Sequence, residues 1–107
     1  MIGARVQIPA QVRRGDVFEV KILIGHPMEP GFNHTLDGKP IPRNVIRQVT
    51  CRYNGTEVFR VEPSSGVAAN PLFAFPVTAR ESGELVFEWA DDSGARGSER
   101  AALTVVG

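Results

Sequence analysis

Two histidines and a methionine lie close together in the first half of the chain. His26, Met28 and His34 offer imidazole nitrogen and thioether sulfur, which are the ligands of copper sites. The chain's one cysteine, Cys51, stands well outside this group, and a histidine directly before a proline is more often a hydrogen-bonded loop residue. A metal site is therefore the weaker interpretation of these residues, and it remains an alternative.

Two carboxylates in the same stretch, Glu29 and Asp37, could act as a paired acid and base, as in glycoside hydrolysis. A small protein fills its interior with side chains and leaves little room for a substrate pocket, so we interpret both as solvated loop residues. A second acidic pair, Asp91 and Asp92, is followed by Ser93 and Gly94, and turn formation accounts for it.

Cys51 could be a catalytic nucleophile or could form a disulfide with another subunit. A nucleophile needs a base, and both histidines lie outside the strand predicted around Cys51. Alternation places Cys51 on the same strand face as Val49 and Tyr53, which predicts an inert buried thiol. A single cysteine also excludes an internal disulfide framework and a site with several thiolate ligands.

The composition excludes several classes of function. Twelve basic and twelve acidic residues give a formal charge of zero, which is not the charge pattern of a protein that binds nucleic acid or an anionic membrane. No apolar run is long enough to cross a bilayer, so we expect a soluble protein. With 107 residues the chain is expected to form one domain, residues 1–107. The single cysteine, taken alone, points to the cytoplasm.

Period-two alternation of apolar residues predicts that strands position these side chains. Asn54 and Gly55 are a strong signal for a two-residue hairpin turn. Pro63, Ser64, Ser65 and Gly66 should end the strand that returns from it. The predicted strands cover residues 6–8, 17–24, 45–53, 58–61, 70–77 and 84–90, and a last one contains Leu103 and Val105.

Alternation also predicts which side chains point inward. In the strand over 17–24, these are Phe18, Val20, Ile22 and Ile24. In the strand over 45–53, they are Val45, Val49, Cys51 and Tyr53, with Ile46, Gln48, Thr50 and Arg52 outward. In the strand over 84–90, Leu85, Phe87 and Trp89 point inward, and Trp89 is expected to anchor the core.

Apolar residues do not recur at helical spacing over more than one turn. The sequence therefore predicts an all-β protein, an immunoglobulin-like β-sandwich of about seven antiparallel strands. One long irregular loop, residues 26–46, interrupts it and holds both histidines and several prolines. Long loops in small domains are usually functional or disordered, and the apolar residues of this one argue against disorder.

Five sequence blocks resemble the SoxZ family, the smaller subunits of the SoxYZ carrier complexes of bacterial sulfur oxidation. They are His-Pro-Met-Glu-Pro-Gly at 26–31, Asp-Gly-Lys-Pro-Ile-Pro at 37–42, Val-Thr-Cys-Arg-Tyr-Asn-Gly at 49–55, Asn-Pro-Leu-Phe-Ala-Phe at 70–75 and Trp-Ala-Asp-Asp-Ser-Gly at 89–94. Each block alone is weak, but their order is specific and the similarity covers nearly the whole chain.

The resemblance implies a non-catalytic subunit without a cofactor that pairs with SoxY as a heterodimer or in a larger assembly. In the family, a cysteine on the C-terminal arm of SoxY carries thiosulfate-derived sulfur while other sulfur-oxidation enzymes contact the complex transiently. The tail of this chain, Leu-Thr-Val-Val-Gly, has no cysteine, which fits SoxZ and not SoxY. The family works in the periplasm and is exported on its partner's signal, which overrides the cytoplasmic interpretation.

We expect the long loop and the strand over 70–77 to contribute apolar surface to the SoxY contact. Two arginines near the loop are expected to favour anionic sulfur adducts of the SoxY arm through charge-assisted hydrogen bonds. The expected partner-binding residues are Met28, Glu29, Phe32, Ile41, Arg43, Arg47, Leu72 and Phe73. The alternative is a free-standing metal-binding or homodimeric β-sandwich that uses His26, Met28 and His34.

Overall fold

The structure is a computed structural model and describes residues 3–63 and 66–107. Within these ranges it consists of strands and connecting segments, and no helix is long and apolar enough to span a membrane. The strands are β1 (Ala4–Gln7), β2 (Val12–Arg13), β3 (Val17–Ile24), β4 (Ile46–Tyr53), β5 (Thr56–Val61), β6 (Leu72–Thr78), β7 (Gly83–Asp91), β8 (Arg96–Leu103) and β9 (Val105–Val106).

The longer strands form two antiparallel sheets. One has the order β1-β3-β6 and the other the order β5-β4-β7-β8, while β2 and β9 make a short parallel pair. The sheets enclose one core, and Phe59 of β5 stacks on Phe75 of β6 with ring centroids 4.0 Å apart. The predicted all-β sandwich is confirmed, and seven of the nine strands have four or more residues.

The predicted inward faces of β3 and β7 are confirmed. Phe18, Val20, Ile22 and Ile24 of β3 are buried, as are Leu85, Phe87 and Trp89 of β7. In both strands the alternation of side chains across a pleated backbone is enough to decide which residues enter the core.

The alternation prediction fails at the start of β4. Ile46 was expected to point outward, but it is fully buried together with Val45. Ile46 pairs with Asp91 and Gln48 with Ala90, so Arg47 is an extra residue that forms a β-bulge. A bulge breaks the period of two locally. Thr50 is also buried, whereas Val49, Cys51 and Tyr53 face the core as expected.

β8 begins earlier than the predicted last strand. Its inward positions include Gly97 and Ala101, whose small side chains give almost no apolar signal. A Cβ added at Gly97 would lie 2.3 Å from the Trp89 ring, so the indole fills the space above this glycine. Of the residues predicted to end β5, Pro63 and Gly66 are described, whereas Ser64 and Ser65 lie outside the described residues.

Candidate functional site

The long loop folds into a projecting antiparallel ribbon, which we define as residues 28–45. Bridges join Glu29 to Asn44 and His34 to Pro40. The Thr35 N–H donates to the Lys39 carbonyl at 2.8 Å. The predicted irregular loop is thus bridged near its base and near its tip, although it contains no continuous strand. The molecule is elongated, with extents of 61 × 20 × 19 Å.

One face of the ribbon is held by polar contacts. The Glu29 carboxylate accepts hydrogen bonds from the Gly31 N–H and from Asn33 Nδ2. A Cβ added at Gly31 would lie 3.0 Å from Arg43 Cβ, so these two residues are neighbours across the ribbon. Ile41 belongs to the same set of alternate residues and is half-buried.

Phe32, His34, Pro40 and Pro42 occupy the alternate positions on the opposite side of the bridged segments, and Leu36 lies in the turn at the tip. All five are exposed, Phe32 at 81% and Leu36 completely. No acidic residue, lysine or arginine belongs to this set. We call these five residues the apolar face of the ribbon. Exposed apolar clusters of this kind mark sites of protein association.

His26 and Asp91 form a buried pair at the start of the ribbon. His26 Nε2 lies 2.9 Å from Asp91 Oδ2, and the Met28 N–H donates to His26 Nδ1 at 3.0 Å. The His26 backbone also bonds Asn70, through the Asn70 side chain and its N–H. The imidazole therefore connects the first residues of the ribbon to the end of β7.

Asp91 was expected to be a turn residue, and it does accept the Ser93 and Ala95 N–H groups. It is also 7% exposed and paired with His26, which turn formation does not explain. Burial alone would raise the pKa of Asp91, but hydrogen bonds from Ser93, His26 and Ala95 outweigh burial and hold that pKa below its ordinary value.

Asp92 holds the other end of the ribbon. Its carboxylate accepts hydrogen bonds from the Val45 N–H at 3.0 Å and from Arg47 Nη1 at 2.9 Å, and it forms an ion pair with Arg43 Nε at 3.3 Å. The Val45 N–H is the main cause of a lowered pKa at Asp92, and the two arginines add to it. Asp91 and Asp92, which are adjacent in one turn, thus hold the two chain ends of the ribbon at its base.

Met28 was expected to offer apolar surface to a partner, and this expectation is wrong. Its side chain is 3% exposed and belongs to the core. Met28 Sδ accepts the Ile46 N–H at 3.4 Å. The Met28 backbone has φ of 50°, a conformation that residues other than glycine and asparagine rarely adopt. The chain turns at this residue, and the Met28 side chain points into the interior.

The other apolar residues expected at the partner contact differ in exposure. Phe32 and Leu72 are exposed, the latter at 58%, whereas Phe73 and Ile41 are half-buried. Leu72 stands opposite Leu23, which is 40% exposed, on the outer face of the three-stranded sheet. Leu23 and Leu36 were not among the predicted partner-binding residues. Signals for both were present in the sequence, because Leu23 is an apolar residue at an outward strand position and Leu36 is an apolar residue in a turn.

The structure does not assemble the proposed metal ligands. Both ring nitrogens of His26 are engaged, the Met28 sulfur accepts a backbone N–H, and His34 lies exposed on the ribbon. Among residues 3–63 and 66–107, no group of three His, Cys, Asp or Glu side chains is arranged to hold a metal ion.

The proposed acid and base have separate local roles. Glu29 caps Gly31 and Asn33, while Asp37 accepts a hydrogen bond from the Thr35 hydroxyl at the exposed tip of the ribbon. That hydroxyl is the main cause of a lowered pKa at Asp37.

Cys51 is completely buried on the inner face of β4, and burial raises the pKa of its thiol to about 12. A thiol with such a pKa contains almost no thiolate at neutral pH, and thiolate is the reactive form. Because the side chain has no surface, a disulfide from Cys51 to another subunit would require the sandwich to open.

Arg43 and Arg47 line a cleft of about 400 Å³ with Gln48, Glu62 and Pro63. Asp92 partly neutralises the two guanidinium groups, and Glu62 adds a second negative charge to the surroundings. Each guanidinium has N–H groups beyond the one that bonds Asp92, and these can still donate to an anion.

Comparison with known protein families identifies the chain. The model of the family described as "Sulphur oxidation protein SoxZ" matches residues 6–102. The chain belongs to the SoxZ family. The process to which this family belongs is therefore sulfur oxidation. The curated proteins yielded no match.

Solved structures share the fold at low sequence identity. A superoxide reductase (neelaredoxin) from Ignicoccus hospitalis is 19% identical with a TM-score of 0.72, over 96% of this chain and 80% of that one. The sulfur carrier protein SoxY from Chlorobium limicola f thiosulfatophilum is 11% identical with a TM-score of 0.65, over 97% and 79%. A CARDB domain from Pyrococcus furiosus, in complex with di-metal ions, is 12% identical with a TM-score of 0.56, over 99% and 94%.

Proposed function

We propose that this SoxZ family chain is the non-catalytic subunit of a SoxYZ carrier in the periplasm. It binds SoxY, whose C-terminal cysteine arm carries thiosulfate-derived sulfur, and serves as a rigid base for that arm. Other sulfur-oxidation enzymes then meet the pair only transiently. The observation that carries this proposal is the ribbon, which is fixed at both ends and presents an apolar face to solvent.

The ribbon suits recognition because its conformation is set before a partner arrives. Binding to a mobile loop costs conformational entropy, and a segment that is already ordered avoids much of this cost. Bonds across the ribbon, together with His26, Asp91 and Asp92 at its base, restrain it. Phe32 and Leu36 on its apolar face are therefore the residues that we assign to the SoxY contact.

A second apolar area lies where the ribbon leaves the sandwich. Leu23 and Leu72 form a cross-strand pair there, one residue before the end of β3, and His26 lies two residues beyond that end. Phe73 is half-buried and packs against the core, and Ile41 is half-buried in the ribbon. We assign Leu23 and Leu72 to the same partner contact, whereas Glu29 acts within the ribbon by fixing Gly31 and Asn33.

We further propose that Arg43 and Arg47 favour anionic sulfur adducts on the SoxY arm. Both side chains line the cleft, and a guanidinium has more N–H donors than the contact with Asp92 uses, which supports this role. Alanine at both positions should lower thiosulfate-dependent turnover of the reconstituted pathway at low salt. The matched control replaces Arg52 and Arg100, which pair with Glu88 and Glu84 on the sandwich surface. Equal turnover in both double variants would contradict the role.

Co-expression with SoxY from the same source tests the main proposal. We expect a one-to-one complex by native mass spectrometry, and a chain without cysteine adducts after incubation with thiosulfate and the other Sox enzymes. A stable homodimer that ignores SoxY would favour the homodimeric alternative. Stoichiometric copper or zinc in the purified chain would favour the metal-binding one.

A further inference from the structure

His26 exists in one defined state in this structure. Its side chain is completely buried, its Nδ1 accepts the Met28 N–H, and its Nε2 faces the Asp91 carboxylate. An ionised carboxylate only accepts hydrogen bonds, so the ring proton lies on Nε2. The imidazole is therefore neutral. A second proton on Nδ1 would point at the Met28 N–H, where two donors repel and the hydrogen bond is lost.

The Met28 N–H is the point at which the chain turns into the ribbon. Met28 has a positive φ of 50°, which costs energy and persists only when neighbouring contacts hold it. The His26 ring supplies one such contact and the core position of the Met28 side chain supplies another. The bridge between Glu29 and Asn44 follows directly. His26 thus sets the direction in which this strand of the ribbon starts.

We propose that His26, held by Asp91, is a positioning residue for partner recognition. Its ring orients the ribbon so that the apolar face meets SoxY, and loss of the hydrogen bond between the Met28 N–H and this ring weakens the association. This inference rests on the proposed binding of SoxY. His26 is buried and does not touch a partner, so it acts only through the ribbon. Asp92 holds the other end of the ribbon through Val45, Arg43 and Arg47, without involving the His26 ring.

Among the described residues, Asp91 of β7 is the one charged group with a hydrogen bond to the His26 ring. Asn70, which bonds the His26 backbone, is uncharged.

Two substitutions separate the functions of the ring nitrogens. In His26→Asn, the amide oxygen replaces Nδ1 as acceptor for the Met28 N–H, and the bond to Asp91 is lost. In His26→Gln, the amide nitrogen replaces Nε2 as donor to Asp91, and the Met28 acceptor is lost. Neither side chain titrates. The proposal predicts that His26→Asn keeps SoxY affinity and that His26→Gln loses roughly three- to tenfold, the effect of one hydrogen bond.

The experiment measures the SoxY affinity of the wild type and of both variants by surface plasmon resonance at about pH 8, and thermal melting of each chain confirms folding. His26→Asn should bind within about twofold of the wild type, whereas His26→Gln should bind roughly three- to tenfold more weakly, although each variant loses one hydrogen bond of the ring.

Equal affinities of the Asn and Gln variants would overturn the positioning role while leaving SoxY binding intact. Absence of any binding at pH 8 would instead contradict the proposed function. ¹⁵N chemical shifts of the ring give an independent reading, since a proton on Nδ1 at pH 8 would refute the tautomer on which the inference depends.

Discussion

At the scale of single residues, Trp89 and Gly97 depend on each other. Trp89 is 4% exposed, and its indole occupies the space where a side chain at position 97 would stand. Within the described part of the chain, the indole Nε1 has no hydrogen-bond partner, so Trp89 contributes through packing alone. Truncation of this residue to alanine should therefore cost about 3–5 kcal/mol in the free energy of unfolding.

Gly97→Ala should destabilise the protein by about 1–3 kcal/mol, because its Cβ would lie 2.3 Å from the Trp89 ring. Urea denaturation measures this effect. Gly3→Ala is the control, since a Cβ there meets no atom within 4 Å. The double variant Gly97→Ala with Trp89→Leu should lose less free energy of unfolding than the sum of the losses in the two single variants. Strict additivity would mean that these residues do not share the space.

Cys51 should resist thiol reagents while the protein is folded, because burial raises the pKa of its thiol to about 12. Labelling with a chromogenic disulfide at pH 8 should be negligible in buffer and complete in denaturant. Rapid labelling of the native chain, in stoichiometric amount, would show that Cys51 is accessible and would reopen the possibility of an intersubunit disulfide.

At the scale of structural elements, the turn between β7 and β8 controls the ribbon. Asp91 ends β7 and bonds His26, and Asp92 follows it and bonds Val45; both partners are distant in sequence. The sequence predicted a turn there because Asp, Ser and Gly favour one locally. It could not predict the second role, since long-range contacts of a turn residue leave no local pattern.

The strands show the same division between local and long-range information. Val17–Ile24 and the hairpin at Asn54 and Gly55 were predictable because alternation and turn chemistry act within a few residues. The bulge at Arg47 and the start of β8 were not, since the first depends on pairing with β7 and the second on Trp89 covering Gly97. Phe32 was identified as exposed, whereas burial of Met28 follows from a backbone turn that alternation cannot reveal.

Acid should destabilise the protein through this turn. The pKa values of Asp91 and Asp92 lie below the ordinary value of 3.8, so their ionised forms stabilise the folded state. This contribution is complete above that ordinary value and is lost as pH falls through the lowered pKa values. Melting temperatures between pH 7 and about pH 2.5, at constant ionic strength, should therefore decline below about pH 4. A smaller decline is expected for Asp92→Asn.

Asp91→Asn should lower the free energy of unfolding by about 1–3 kcal/mol at neutral pH. The amide has one oxygen, so its NH₂ group must face either the His26 N–H or the N–H groups of the turn, where two donors meet. Chemical denaturation measures the loss. Glu19→Gln serves as control, because the Glu19 pair with Lys21 is exposed and contributes little. Equal stability of the two variants would show that the buried pair does not support the fold.

At the scale of the whole molecule, one part of the surface carries paired charges and another part exposes apolar side chains. The outer surface of the four-stranded sheet carries ion pairs such as Arg52 with Glu88 and Arg100 with Glu84. The ribbon and the adjacent Leu23 and Leu72 expose apolar side chains instead. Because apolar surface gains more from burial than paired charges do, this asymmetry supports a partner at the ribbon end.

The most direct test of the central claim is the affinity for SoxY measured by isothermal titration calorimetry. Phe32→Ser combined with Leu36→Ser should weaken binding at least tenfold while the melting temperature stays unchanged, because both side chains are exposed in the free chain. Val17→Ser is the matched control, an exposed apolar residue at the far end of β3, and it should bind as the wild type does. Wild-type affinity in the ribbon variant would contradict recognition of SoxY through the apolar face.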